Sequence, residues 1–159
     1  MHRRGIKVCL LIFLMLGVML PAPGIAAGKK GGSPGHLVYV PVYSQIYYGD
    51  QEKQILLTIT LSIRNTDPAR AITISKVDYY DSEGKPLKSY LAKPLTLKPV
   101  VATHFIVPES DRRGGSGASF LVQWQAEAKV NPPLVEGVMI GASGQQGISF
   151  TSRGVTIKE

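Results

Sequence analysis

The run from Ile55 to Arg64 leaves the chain few choices. Ile55, Leu57, Ile59, Leu61 and Ile63 alternate with Leu56, Thr58, Thr60, Ser62 and Arg64. One set is wholly apolar and the other mostly polar, a period of two that belongs to a half-buried β-strand. Asn65-Thr66-Asp67-Pro68 follows as a turn, because Asn and Asp bond their own backbone and Pro presets φ. A second strand runs from Ala71 to Tyr80, with a change of phase. Ile72 and Ile74 share one parity, Val77 and Tyr79 the other. A bulge near Ser75-Lys76 would return all four to one face.

The same reading extends along the chain. Leu37 to Tyr48 is a strand, and Pro41, which cannot donate to a ladder, marks it as an edge or bulged strand. Asp81-Ser82-Glu83-Gly84-Lys85 is a hairpin turn, with Gly84 at the position that needs positive φ. Shorter extended pieces follow at Leu87–Leu91, Pro94–Leu97 and Ala102–Val107. Ala118–Ala126 reads as a central strand, with Phe120, Val122, Trp124 and Ala126 on one face. Leu134–Ala142, Ile148–Thr151 and Val155–Ile157 complete the set. No segment sustains a helical period. Short strands at regular spacing predict an all-β, antiparallel sandwich of about 7–9 strands, immunoglobulin-like or fibronectin-like, with a small barrel as the alternative.

The chain divides into three. Residues 1–27 have the parts of a secretory signal: a basic start (Arg3, Arg4, Lys7), an apolar run from Val8 to Leu20, and a small-residue end that suits cleavage after Ala26 or Ala27. The run is 13 residues, short of the ~20 that a membrane span needs. Any membrane contact is expected only through an uncleaved leader. Residues 28–35 are a glycine-rich flexible linker, and 36–159 the β-sandwich domain. Of 18 basic residues three lie in the leader, so 15 face 11 acidic ones and the excess falls from +7 to +4. Those charges are scattered, which argues against nucleic acid. The only cysteine, Cys9, sits early in the leader, so no disulfide or thiol chemistry is expected in the domain.

Several motifs in order carry a family resemblance: Leu61-Ser62-Ile63-Arg64-Asn65-Thr66-Asp67, Val77-Asp78-Tyr79-Tyr80-Asp81, and Ser110-Asp111 with Gly114-Gly115-Ser116-Gly117-Ala118. Val138-Met139-Ile140-Gly141 and Gly147-Ile148-Ser149-Phe150 complete them. The chain resembles, from Leu37 to Ile157, a bacterial family of small exported proteins catalogued as domain of unknown function 3124. The resemblance implies an exported or cell-envelope protein and implies no activity. Some members carry a lipoprotein signal. Cys9, placed near the start of the apolar run, departs from that pattern.

No catalytic set emerges. Gly114-Gly115-Ser116-Gly117-Ala118 approaches a hydrolase elbow, but Ala118 replaces the last glycine, and a loop precedes Ser116 where a strand is needed. Asp111-Arg112-Arg113-Gly114-Gly115-Ser116-Gly117 could form an anion site, with glycine N–H groups as a nest and two guanidinium groups as a clamp; the plainer readings are a mobile surface loop, or one in which Asp111 pairs with an arginine. Asp78, Asp81, Glu83 and Asp67 could supply oxygen to calcium, but have no EF-hand spacing and also suit solvated turns. His36 and His104 are too few for zinc or copper. Neither a metal nor a cofactor is expected. Tyr39, Tyr43 and Tyr47 recur every fourth residue on one expected strand face and could bind a partner, unless another segment covers them. The expectation is a periplasmic or secreted, non-catalytic binding or structural module of the cell envelope, whose partner would be an envelope protein or a small ligand. The alternative is a small-anion or metal-ligand binder using the 111–117 loop.

Overall fold

A computed structural model describes residues 33–143 and 145–157. The expected leader and residues 28–32 of the expected linker lie outside them. The described part is all β. Twelve strands form: β1 (Ser33–Pro41), β2 (Gln45–Tyr48), β3 (Lys53–Leu56), β4 (Thr58–Arg64), β5 (Ile72–Tyr80) and β6 (Pro86–Ser89). They continue as β7 (Leu95–Leu97), β8 (Ala102–Val107), β9 (Ser119–Ala126), β10 (Leu134–Ser143), β11 (Gln146–Arg153) and β12 (Val155–Ile157). A single 3-10 turn, Gly115–Gly117, precedes β9.

All pairings are antiparallel. The first sheet has the order β12-β1-β9-β5-β6, with β7 beside the first half of β5. The second has the order β11-β10-β4-β8, and β2-β3 is a separate hairpin. One core joins both sheets. Val38, Val40, Ile72, Ile74, Val77, Tyr79, Phe120, Val122 and Trp124 come from the first sheet. Ile59, Leu61, Ile63, Val107, Val135 and Met139 come from the second. Each fully buried aliphatic side chain of this kind contributes about 1.5–3 kcal/mol of transfer free energy.

The count exceeds the expected 7–9 because all ten extended segments form strands and two of them are broken. Leu37–Tyr48 splits at Val42–Ser44 into β1 and β2, and Ile55–Arg64 splits at Leu57 into β3 and β4. The breaks meet, since Leu57 N donates to Ser44 O at 3.0 Å, and Val42 and Leu57 are both fully buried there. Two expectations about β1 change. It begins at Ser33, so Ser33–Gly35 belong to a strand and not to a linker. Of the two expectations, edge or bulge, the edge fails: β1 is an interior strand between β12 and β9, and its register against β9 shifts between Ser33 and His36. Pro41 is tolerated because it is the last residue, past the stretch Leu37–Tyr39 that β12 pairs. The bulge in β5 falls where the phase change puts it, between Ile74 and Lys76, and Ile72, Ile74, Val77 and Tyr79 all face the core. Gly84 has φ 79° and closes the β5–β6 turn.

The turn after β4 crosses between the two sheets. Asn65 and Asp67 are buried in it. Asn65 Nδ2 lies 2.8 Å from Arg70 O, 3.0 Å from Lys98 O and 3.2 Å from Leu97 O. Asp67 Oδ1 accepts from Ala69 N and Arg70 N, and Oδ2 accepts from Asn131 N at 3.1 Å. Two side chains thus tie three loops at one end of the fold.

Candidate functional site

The opposite end carries the glycine loop. Its first turn is local: Asp111 N donates to Pro108 O at 2.9 Å. Arg113 closes on the Asp111 carboxylate through Nε at 2.9 Å and Nη2 at 2.7 Å, and its N–H donates to Oδ1 at 3.2 Å. The Arg113 guanidinium, ahead of its backbone N–H, holds the Asp111 carboxyl below its usual value. Arg112 and Ser116 are exposed.

Two serines then grip the loop from either side. Ser82, in the β5–β6 turn, donates its N–H (3.1 Å) and its hydroxyl (2.9 Å) to Gly114 O, and its Oγ accepts from Gly117 N at 2.9 Å. Ser44, fully buried where β1 passes into β2, donates its N–H (3.0 Å) and its hydroxyl (3.2 Å) to Gly115 O. Val42 N donates to Ala118 O at 2.9 Å. The backbone bends sharply enough that glycine is required twice. Gly115 has φ +73°, and a Cβ on Gly114 would overlap Tyr79 Oη.

Beneath the loop lies an aromatic group that spans the sheets. Tyr79 and Phe120 have centroids 5.0 Å apart, Tyr90 and Phe120 5.8 Å, and Tyr90 and Phe105 5.5 Å. Tyr90 Oη donates to Ile106 O at 3.1 Å, and Lys88 Nζ sits 4.1 Å above the Tyr90 ring. Tyr79 Oη is buried and has no hydrogen-bond partner. Burial, then the Asp111 charge, pushes the Tyr79 phenol up to about 12, and the same two causes raise Tyr90. Both phenols therefore stay neutral near pH 7.

These positions decide among the sequence candidates. The loop residues Arg112, Arg113, Gly114, Gly115, Ser116 and Gly117 do lie together, in a loop that Ser44 and Ser82 pin and in which Asp111 pairs with Arg113. Every second N–H is committed, Arg113 N to Asp111 Oδ1, Gly115 N to Arg112 O and Gly117 N to Ser82 Oγ, which breaks up the successive run that a nest needs. Ser116 sits in a 3-10 turn that runs straight into β9, without the strand and helix of an elbow. The carboxylates do not converge. Asp78 pairs with Lys76 at 2.9 Å, Asp81 Oδ1 accepts from Glu83 N and Lys85 N, and Asp67 is spent in its own turn. Among the described residues no three metal-ligating side chains come together. His36 stacks on Trp124, centroids 5.0 Å apart, and His104 is exposed on β8.

The tyrosine stripe does not exist as one face, because its expected strand is broken. Tyr39 lies on the outer face of β1, opposite Leu121 and Val155. Tyr43 lies in the break and packs edge-on against Phe150 at 5.7 Å. Tyr47 is exposed on β2, and its Oη accepts from Gln45 Nε2 at 3.0 Å. Ser44, Ser82, Lys88, Tyr79 and Tyr90 were not legible as parts of a site. Only the hairpin turn that contains Ser82 offered a local signal.

No curated protein matches the chain. A solved structure described as "Crystal Structure of Thermotoga maritima 1070" is similar at 11% identity and a TM-score of 0.45, covering 76% of this chain and 92% of that one. A family model described as "Protein of unknown function (DUF3124)" matches residues 35–157. That span takes in every motif of the loop and of the strands around it, and the chain belongs to this family.

Proposed function

We propose that the protein is an exported, non-catalytic binding module of the bacterial cell envelope, and that the Asp111–Gly117 loop is its contact surface. The carrying observation is the paired grip of Ser82 on Gly114 and Ser44 on Gly115. A loop held by both neighbours gives up little freedom on binding, so its exposed side chains are pre-organised for a partner. Arg112, Arg113, Ser116 and Lys88 are exposed, and Tyr47 stands on the hairpin that Ser44 leads into. Tyr39 offers a second contact on the outer face of the first sheet. Export rests on the composition of residues 1–27. Two measurements test the reading. Fractionation with N-terminal sequencing should find a periplasmic or secreted chain beginning at Ala27 or Gly28; a cytoplasmic chain that keeps Met1 would refute export. Affinity capture from envelope extract should yield a partner that the Arg112→Ala/Ser116→Ala variant loses at unchanged stability; equal capture by both would refute the loop as the contact.

A second reading follows from charge. Arg113 neutralises Asp111, Lys88 adds its charge beside that carboxylate, and Arg112 is exposed on the same loop, so the loop would favour a small anion. The committed N–H groups weigh against it. Thermal unfolding with phosphate and other small anions separates the two, because a ligand that binds only the native state raises the midpoint.

A further inference from the structure

The second sheet carries an independent feature on its outer face. Ile59, Leu61 and Ile63 of β4 face the core, so Thr60, Ser62 and Arg64 point outward. The register sets His104 of β8 opposite Ser62, Ala102 opposite Arg64, and Val138 of β10 opposite Thr60. These six side chains line a shallow cleft of about 370 Å3. Ser62 is its floor, 9% exposed, and Arg64 Nε donates to Ser62 Oγ at 3.2 Å. That bond fixes the guanidinium and leaves its Nη end for another acceptor. Neither ion pair among the described residues involves Arg64. His104 adds a second nitrogen donor from the neighbouring strand. Glu136 also stands opposite Ser62, on the β10 side away from His104, and does not line the cleft.

We propose that this cleft binds a small organic carboxylate. The Nη fork of Arg64 matches the two oxygens of a carboxylate, and His104 donates to one of them. The methyl groups of Thr60, Val138 and Ala102 take an aliphatic body of a few carbons. One pre-oriented fork with apolar walls suits a monoanion with a short chain better than a dianion. The site lies on a different sheet from the glycine loop, so its test is separate from the contact surface above.

Sodium butyrate is the probe, titrated into the full-length protein and followed by the His104 ring resonances and the Arg64 side-chain resonances. Saturable shifts at both residues are expected. Arg64→Lys should weaken binding about tenfold, because a point charge replaces the fork, and Arg64→Ala should abolish it. Arg112→Ala/Arg113→Ala should bind as wild type does. Thermal unfolding checks that each variant is folded, and His104→Ala, which removes an exposed side chain, serves if the Arg64 variants are not. Failure of wild type to saturate, or an undiminished response in the folded variants, overturns the proposal. Phosphate binding without butyrate binding overturns the carboxylate class.

Discussion

Ser82 donates twice to one carbonyl, that of Gly114, through its N–H at 3.1 Å and its hydroxyl at 2.9 Å. The same Oγ accepts from Gly117 N. One hydroxyl therefore fixes both ends of the bend. Ser82→Ala keeps the backbone bond and loses the other two. The expected cost is about 1–2 kcal/mol. Amide exchange at Gly117 should accelerate more than that at Phe120 and Val122, and equal acceleration would show that the loop opens only with the whole domain.

Gly114 and Tyr79 form a steric pair. Gly114→Ala puts a methyl onto Tyr79 Oη and should cost about 1–3 kcal/mol, as overpacking does. Tyr79→Phe removes a buried hydroxyl that has no partner, so alone it should be neutral or stabilising. Combined with Gly114→Ala it should recover part of the loss. Denaturant unfolding of the four proteins gives the coupling, and strict additivity would mean that the two sites do not touch.

At the other end of the fold, Asn65 holds three carbonyls that lie as far apart in sequence as Arg70 and Lys98. Asn65→Ala leaves buried acceptors without donors and should cost about 2–4 kcal/mol. Asn65→Asp should do no better, since it replaces the donor with an acceptor. Chemical denaturation checks both, and a loss confined to a few tenths of a kcal/mol would show that water replaces the amide.

What was legible in the sequence depended on whether the signal was local. The alternation in β4 and the phase change in β5 each lie within one strand, and both appear in the fold where the pattern puts them. β10 hid its core face because Gly137 and Gly141 occupy it, close against Val42 and Leu56 O, while Val138 and Ile140 point outward. Val135 and Met139 share the core face with those glycines, so apolar residues fall on both sides and their pattern there does not tell the sides apart. Pro41 read as an edge signal because a strand's end and a sheet's edge impose the same demand, a free N–H position. The glycine loop read as mobile because its anchors are remote: Ser44 is 71 residues from Gly115, and Ser82 is 32 from Gly114. No local composition encodes that pairing.

Titration should separate two carboxyls, one at each end of the fold, from the phenol beneath the glycine loop, at opposite extremes of pH. Backbone N–H bonds from Ala69 and Asn131 lower the Asp67 carboxyl, and Arg113 lowers that of Asp111. A carboxyl lowered in the folded state contributes stability that is present above its ordinary value of 3.8 and lost as pH falls through the folded value. Tyr79 has the reverse sign. Its folded value, about 12, lies above the ordinary 10.0, so its contribution is complete below pH 10 and disappears as pH rises toward 12. Asp67→Asn should flatten the acid limb of a stability–pH profile, and Tyr79→Phe the alkaline limb. Each variant should leave the other limb as it is. An alkaline limb unchanged in Tyr79→Phe would mean that the phenol reaches solvent before the domain unfolds.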